Sequence, residues 1–268
     1  GIDCDRCHGD GELHAMTGDP AQIVDPAKLP EDRQSDLCYQ CHLSGGLTIE
    51  RRGRTIADYT VGETLSDWLA VFTPVETDVN AGATISSHAE RMKLSRCYTE
   101  TARSGDSALT CTTCHNPHRG HLDAGSRAAA DRGCLVCHQP DDCHTAPAAR
   151  EDRACFECHM PRVDSRDIGH TRITDHFIRS RPPRDARPAP MHNPAQLADR
   201  GGPLVDHLDP EGRSPHHALY AARAYLRGVE LAAVMRQSRA TDWEQRGMAA
   251  PQRPASLHGE GPQTLSPH

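Results

Sequence analysis

Five pentapeptides repeat one arrangement of reactive side chains: Cys4-Asp-Arg-Cys7-His8, Cys38-Tyr-Gln-Cys41-His42, Cys111-Thr-Thr-Cys114-His115, Cys134-Leu-Val-Cys137-His138 and Cys155-Phe-Glu-Cys158-His159. They use ten of the twelve cysteines, and a shuffled chain of this composition would contain about 0.04 copies of the pattern. Two thiols three positions apart on a helical turn can reach the two vinyl groups along one porphyrin edge. The histidine that follows then brings its imidazole beneath the iron. The spacing therefore predicts five covalently attached haem c groups, with His8, His42, His115, His138 and His159 as proximal ligands. Zinc ribbons also use Cys-x-x-Cys, but they need four ligands from paired knuckles, which five units each followed by histidine do not supply. A thioredoxin-like redox motif occurs once, in a βαβ frame. A disulfide framework accounts for the cysteines and leaves the histidines unexplained.

The sixth ligand decides whether a haem iron passes electrons or does chemistry. Thirteen of the eighteen histidines lie outside the motifs. Five are the candidate distal ligands: His14 beyond a Gly-rich turn, His88 on a short helix, His118 in His115-Asn-Pro-His118, and His170 and His176 flanking Thr171-Arg-Ile-Thr-Asp. His121, His144, His192, His207, His216 and His217 are substitutes, and Met92 or Met160 would raise the potential if either ligated. Cys97 and Cys143 belong to no motif, and in an oxidising compartment they are expected to pair as a disulfide around the third and fourth sites.

These groups need elements to hold them, yet the chain has little of its own with which to build a core. Leu, Ile, Val and Phe make up only 40 of 268 residues, and mean hydropathy is -0.67. Porphyrin area burying itself at about 25 cal/mol per Å² would replace the missing side chains. The expected fold is mainly α with much irregular structure, organised around five covalently bound haems. Residues 1–180 form the haem domain, within which 47–82 carry no motif and suggest a short hairpin from Thr48-Ile-Glu and Ala57-Asp-Tyr-Thr-Val, followed by Leu65-Ser-Asp-Trp-Leu-Ala-Val-Phe. Residues 181–213 read as a Pro/Arg-rich linker. Residues 214–240 read as an amphipathic helix opened by Ser214-Pro, with Leu219, Ala222, Leu226, Val229 and Ala233 as its stripe. Residues 241–268 are an irregular tail. No apolar run is long enough for a membrane span.

The blocks Gly1-Ile-Asp-Cys-Asp-Arg-Cys-His-Gly-Asp-Gly-Glu-Leu-His14, Ile23-Val-Asp-Pro-Ala-Lys-Leu29, Leu109-Thr-Cys-Thr-Thr-Cys-His-Asn-Pro-His118, Cys158-His-Met-Pro-Arg162 and Thr174-Asp-His-Phe177 resemble bacterial multihaem cytochromes c of the tetratricopeptide-associated type. Those proteins are related to the group of cytochrome c nitrite reductase and hydroxylamine oxidoreductase. The likeness spans about residues 1–180 and implies a multihaem cytochrome c fold with close-packed, bis-histidine electron-transfer haems, matching His14, His88, His118, His170 and His176. Relatives usually carry further haem-binding sequence upstream and several helical repeats downstream, so this chain looks like a processed product or a fragment. The nitrite reductases bear a Cys-x-x-Cys-Lys active haem, whereas Lys28 and Lys93 here follow no cysteine pair.

The expected function is electron transfer along a chain of haems in the periplasm or outside the cell, where covalent haem attachment takes place. The alternative is a multihaem oxidoreductase with one open iron acting on a nitrogen or sulfur oxyanion. Redox partner proteins are implied, and the chain could be a subunit of a larger complex. A homo-oligomer or conducting filament could also form, with His216, His217, His258 or His268 capping a neighbour's iron. The net charge of -7, to which haem propionates add, suits a basic partner and excludes nucleic acid.

Overall fold

The computed structural model describes residues 2–43, 47–74, 83–104, 109–120, 123–143, 153–168, 170–181 and 204–234. The described residues are mixed in class rather than mainly α. Their helices are α1 (Asp5–His8), α2 (Glu12–Thr17), α3 (Glu31–His42), α4 (His88–Lys93), α5 (Arg96–Ser104), α6 (Cys111–Cys114), α7 (Ala124–Leu135), α8 (Cys155–His159) and α9 (His217–Val234). Five strands, β1 (Leu47–Glu50), β2 (Leu69–Pro74), β3 (Arg162–Asp164), β4 (Arg172–Thr174) and β5 (Leu204–Asp206), form an antiparallel sheet in the order β1-β2-β5 and a β3-β4 ribbon. No helix among the described residues is long and apolar enough to cross a membrane.

Strand β2 is the centre of the fold because its run Leu69-Ala-Val-Phe72 is apolar on both faces. Successive side chains of a strand point to opposite sides. Ala70 and Phe72 accordingly join Leu47 and Ile49 of β1 in a core closed by Tyr220 and Ala224 of α9. Leu69 and Val71 turn the other way, into a second core with Tyr39, Leu43, Tyr59, Leu65 and Trp68. Phe72 is fully buried, which stabilises by about 1.5–3 kcal/mol. Cys38 and Cys111 pack against the second core, so the second and third motifs are seated on it.

Three expectations change here. The partner of β1 is β2, in the register Leu47↔Phe72, and not 57–61: Ile56–Asp58 is a 3-10 turn that delivers Tyr59 to the core. Leu204–Asp206, assigned to the linker, is the third strand, paired with β2 through Phe72↔Asp206. Helix α9 packs on this same sheet, but Leu219 and Leu226 of the expected stripe are exposed. Ala222 of that stripe is buried and Val229 packs on the core, and they are joined by Tyr220, Ala224 and Gly228, because small side chains let the helix lie close to the strands. Residues 182–203 of the linker, 235–240 of the helix and the 241–268 tail lie outside the described residues.

The sheet carries a pH liability. His207 donates its backbone N–H to Val71 O (2.9 Å), and its Nε2 lies 2.6 Å from Thr73 Oγ1. Burial, assisted by Lys93, pushes its imidazole down to about 4. The unfolded chain takes up that proton near pH 6.5. The folded state is therefore fully favoured above that pH and loses stability, on the order of 3 kcal/mol, as pH falls from about 6.5 through about 4. Denaturation midpoints measured between pH 7 and 4 should fall less steeply for His207→Gln than for the parent, and parallel curves would refute the assignment.

Candidate metal centres

Each motif is one helical turn. Cys4 caps α1, with His8 N donating to Cys4 O at 2.9 Å. The second motif is the last turn of α3, and the fourth closes α7, with His138 N donating to Cys134 O at 3.0 Å. In the third, Thr110 and Thr113 form a capping box on α6, and His115 N donates to Cys111 O at 2.9 Å. The fifth is α8, where Cys155 N is held by Asp131 of α7. This is the local geometry that presents two thiols to one porphyrin edge. Burial keeps the Cys7, Cys114, Cys134 and Cys155 thiols above their ordinary range, the last two at about 11. They are not standing thiolate nucleophiles.

Two proximal histidines are clasped in the same way. Val24 donates its N–H to His8 O (3.0 Å), and its carbonyl faces His8 Nδ1 at 2.8 Å. Arg179 repeats this at His159, with N–H to O at 3.0 Å and carbonyl to Nδ1 at 2.6 Å. Gly9, at φ 74, supplies the bend that turns the chain off α1 behind His8. Among the candidate distal ligands, His14 Nδ1 meets Asp19 O at 2.9 Å and His176 Nδ1 meets Thr174 O at 3.1 Å. A carbonyl on Nδ1 fixes the proton there and leaves Nε2 with its lone pair, the usual orientation of a metal-binding imidazole.

Three motif histidines face a second imidazole. His8 and His118 stack with centroids 5.8 Å apart at 14°, and His115 and His176 with centroids 6.1 Å apart at 23°. Two imidazoles sharing one metal through nitrogens at about 2 Å stand with centroids roughly 6 Å apart, and both pairs have that separation. His42 meets His88 at 5.1 Å edge-on, and His88 in turn meets His176 at 4.4 Å. Burial, then His42, pushes His88 down to about 4, and burial, then His88, pushes His176 down to about 3, which keeps both imidazoles neutral. The residues present thus fit haem iron.

Other expected ligands are placed apart. Among the described residues, His14, His138, His159 and His170 make no ring contact with another imidazole. His170 has a left-handed φ of 60. His216 is exposed, Met92 is buried on α4, and Met160 caps α8. His121, His144, His192, His258 and His268 lie outside the described residues. The expected Cys97–Cys143 disulfide is not formed. Helix α5 instead carries Cys97 beside the thiols of Cys114, Cys134 and Cys137.

Consecutive motifs adjoin in space. Arg6 Nη1 donates to Gln40 Oε1 at 3.4 Å between the first and second, and the Cys38 and Cys111 thiols are hydrogen-bonding neighbours between the second and third. A Cβ on Gly133 would stand 2.7 Å from Cys114 Sγ, so only glycine allows the third and fourth motifs this approach. An Arg127–Glu157 ion pair ties the fourth to the fifth.

Sequence reasoning missed the clasping carbonyls, which leave no side-chain signal, and the buried Arg91–Asp175–Arg179 cluster beside His176. It also missed Asp206, Asp209 and His217, whose ligand atoms lie within 4.8 Å of one another. That trio ties β5 to α9. Asp206 is ion-paired with Arg51 at 3.8 Å, and Asp209 accepts the N–H groups of Arg213 and Ser214. A cavity of about 340 Å³ is lined by Asp36, Tyr39, Lys93, Tyr98 and the substitute ligand His207, and by no cysteine. No protein-family model, curated protein or solved structure matches the chain.

Proposed function

We propose that this chain is an electron-transfer protein holding five c-type haems, a multihaem cytochrome c of the tetratricopeptide-associated type, working in the periplasm or outside the cell. The observation that carries the reading is the pairing of imidazoles across the motifs: five one-turn Cys-x-x-Cys-His units, of which three already face a second histidine. Bound there, each haem supplies a one-electron ferric/ferrous couple. Cys4 and Cys7, and the corresponding pairs at the other motifs, anchor it. His8, His42 and His115, together with His118, His88 and His176, would hold the irons, and an iron with two imidazoles would have no position left for water or substrate. Val24 and Arg179 keep the Nε2 atoms of His8 and His159 turned toward the metal. The contacts between successive motifs support a row of five sites, the arrangement a conductor requires. The net charge of -7 favours a basic patch on the redox partner, with salt-sensitive association.

The test is intact mass and haem content after expression in a host equipped for covalent haem attachment. Five haems per chain and a low-spin ferric spectrum indifferent to cyanide and nitrite are expected. A mass equal to that of the bare polypeptide would end the proposal. A high-spin band that shifts on adding nitrite would transfer the chain to the oxidoreductases.

A further inference from the structure

One carboxylate touches the supports of three proposed irons. Asp175 is completely buried. Its Oδ1 accepts from Arg91 Nε (2.9 Å) and Phe177 N (3.0 Å), and its Oδ2 from Arg91 Nη2 (2.7 Å) and Arg179 Nη1 (2.8 Å). We infer that Asp175 is a positioning residue that holds the imidazoles of His176, His88 and His159 in ligand geometry at once; the inference rests on the haem reading above.

The connections are short in each direction. His176 follows Asp175 directly. Arg91 stands three residues beyond His88, on the same helix α4. Arg179 supplies the carbonyl that fixes His159 Nδ1. Asp175 also donates its own N–H to Pro161 O (3.0 Å), two residues past His159. The Phe177 ring lies 5.5 Å from the Arg91 guanidinium and 4.6 Å from that of Arg179, so the cluster is packed as well as charged. A bidentate guanidinium–carboxylate fork fixes orientation as well as distance. Partners of this kind, one shell behind the ligands, set the aim of metal-binding imidazoles. Ser95, also fully buried, holds the same segment: its Oγ donates to His176 O (3.3 Å) and accepts from Ile178 N (2.8 Å). The segment after His176 is thus clamped on both sides, and Asp175 is the one group in it that reaches all three ligands.

The charge balance gives a readout that packing alone would not move. Two guanidiniums surround one carboxylate, and replacing the carboxylate by a neutral group leaves a more positive site beside the irons. Positive charge favours the reduced iron, so the potential rises. In matured holoprotein, Asp175→Ala is expected to retain five haems by mass while its ferric spectrum gains a high-spin component from one to three of the five irons. Asp175→Asn keeps an acceptor for Phe177 N and Arg91 Nε. It should stay low-spin, with part of its redox titration displaced to higher potential. Spectra and titrations superimposable on the parent's in both variants would overturn the inference. Where the alanine variant cannot be recovered with haem, the asparagine titration decides alone. A parent chain that carries no haem removes the proposed function and this inference together, whereas five haems with unchanged variants remove only the inference.

Discussion

Made without covalent haem attachment, the chain is expected to lose the folded state of every motif-bearing segment outside its two side-chain cores. Helices α1, α6 and α8 are four or five residues long and contain no buried residue. Isolated helices shorter than about 12 residues are marginal in water, and their stability in proteins comes from a buried face. Helices α1 and α8 have no such face on either side-chain core, and α6 rests on the second core through the half-buried Cys111, a contact that its motif chemistry would change. The large apolar side chains around them point the same way: Ile2, Leu13 and Met16 beside the first motif and Val136 inside the fourth are exposed, Val136 by 76%. The proposed porphyrins would cover them. Residues 47–74 with 217–229 differ, because Leu47, Ile49, Phe72, Tyr220 and Ala224 bury one another directly.

The expected result is therefore graded. In the chain with all ten motif cysteines changed to serine, amide exchange should be unprotected over 2–18, 111–120, 123–143 and 155–168, with residual protection confined to α3, the β1-β2-β5 sheet and α9, the elements of the two side-chain cores. Near-UV dichroism should be largely lost. A single cooperative unfolding transition in that variant, with protection at α1, α6 and α8, would show that the polypeptide folds these segments by itself, and the structural role assigned to haem would fall.

The motifs were legible in the sequence because the attachment chemistry is local. One turn of helix fixes both thiols and the imidazole, and no distant residue is needed to recognise it. The distal ligands were legible only as a set. His118 stands three residues after His115 yet faces His8, and His176 faces His115 across 61 positions, distances that only tertiary folding closes. His14 and His170 carried the same local signals and face no imidazole among the described residues. The sheet was misread for a related reason. Leu69-Ala-Val-Phe72 is apolar at every position, so periodicity cannot say whether it is helix or strand, or which strand it pairs with. The stripe of helix α9 was legible in part: Ala222 and Val229 do face the core, whereas the close approach to β1 selects Ala224 and Gly228 over the bulkier Leu219 and Leu226. Asp175 gave no sign, since an acid in a polar stretch looks solvated until Arg91, 84 positions away, arrives beside it.

Pairing across the sequence also yields the most direct test of which imidazole serves which iron. His118→Ala is expected to open one iron of the five, that of the first motif, because the His118 and His8 rings are paired with centroids 5.8 Å apart. About a fifth of the ferric haem should become high-spin and bind cyanide, with the other four unaffected. His118 lies on the surface, in a turn where its N–H donates to Asn116 Oδ1 at 3.0 Å, so the fold should survive the substitution. A cycle with the first motif deleted makes the assignment specific. In a Cys4→Ala, Cys7→Ala, His8→Ala background, which holds four haems, adding His118→Ala should create no further high-spin iron, because the iron that His118 would serve is already gone. Coupled residues depart from additivity in this way, and independent ones do not. High-spin signal appearing in both backgrounds would assign His118 to another motif, and its appearance in neither would remove it from the ligands altogether.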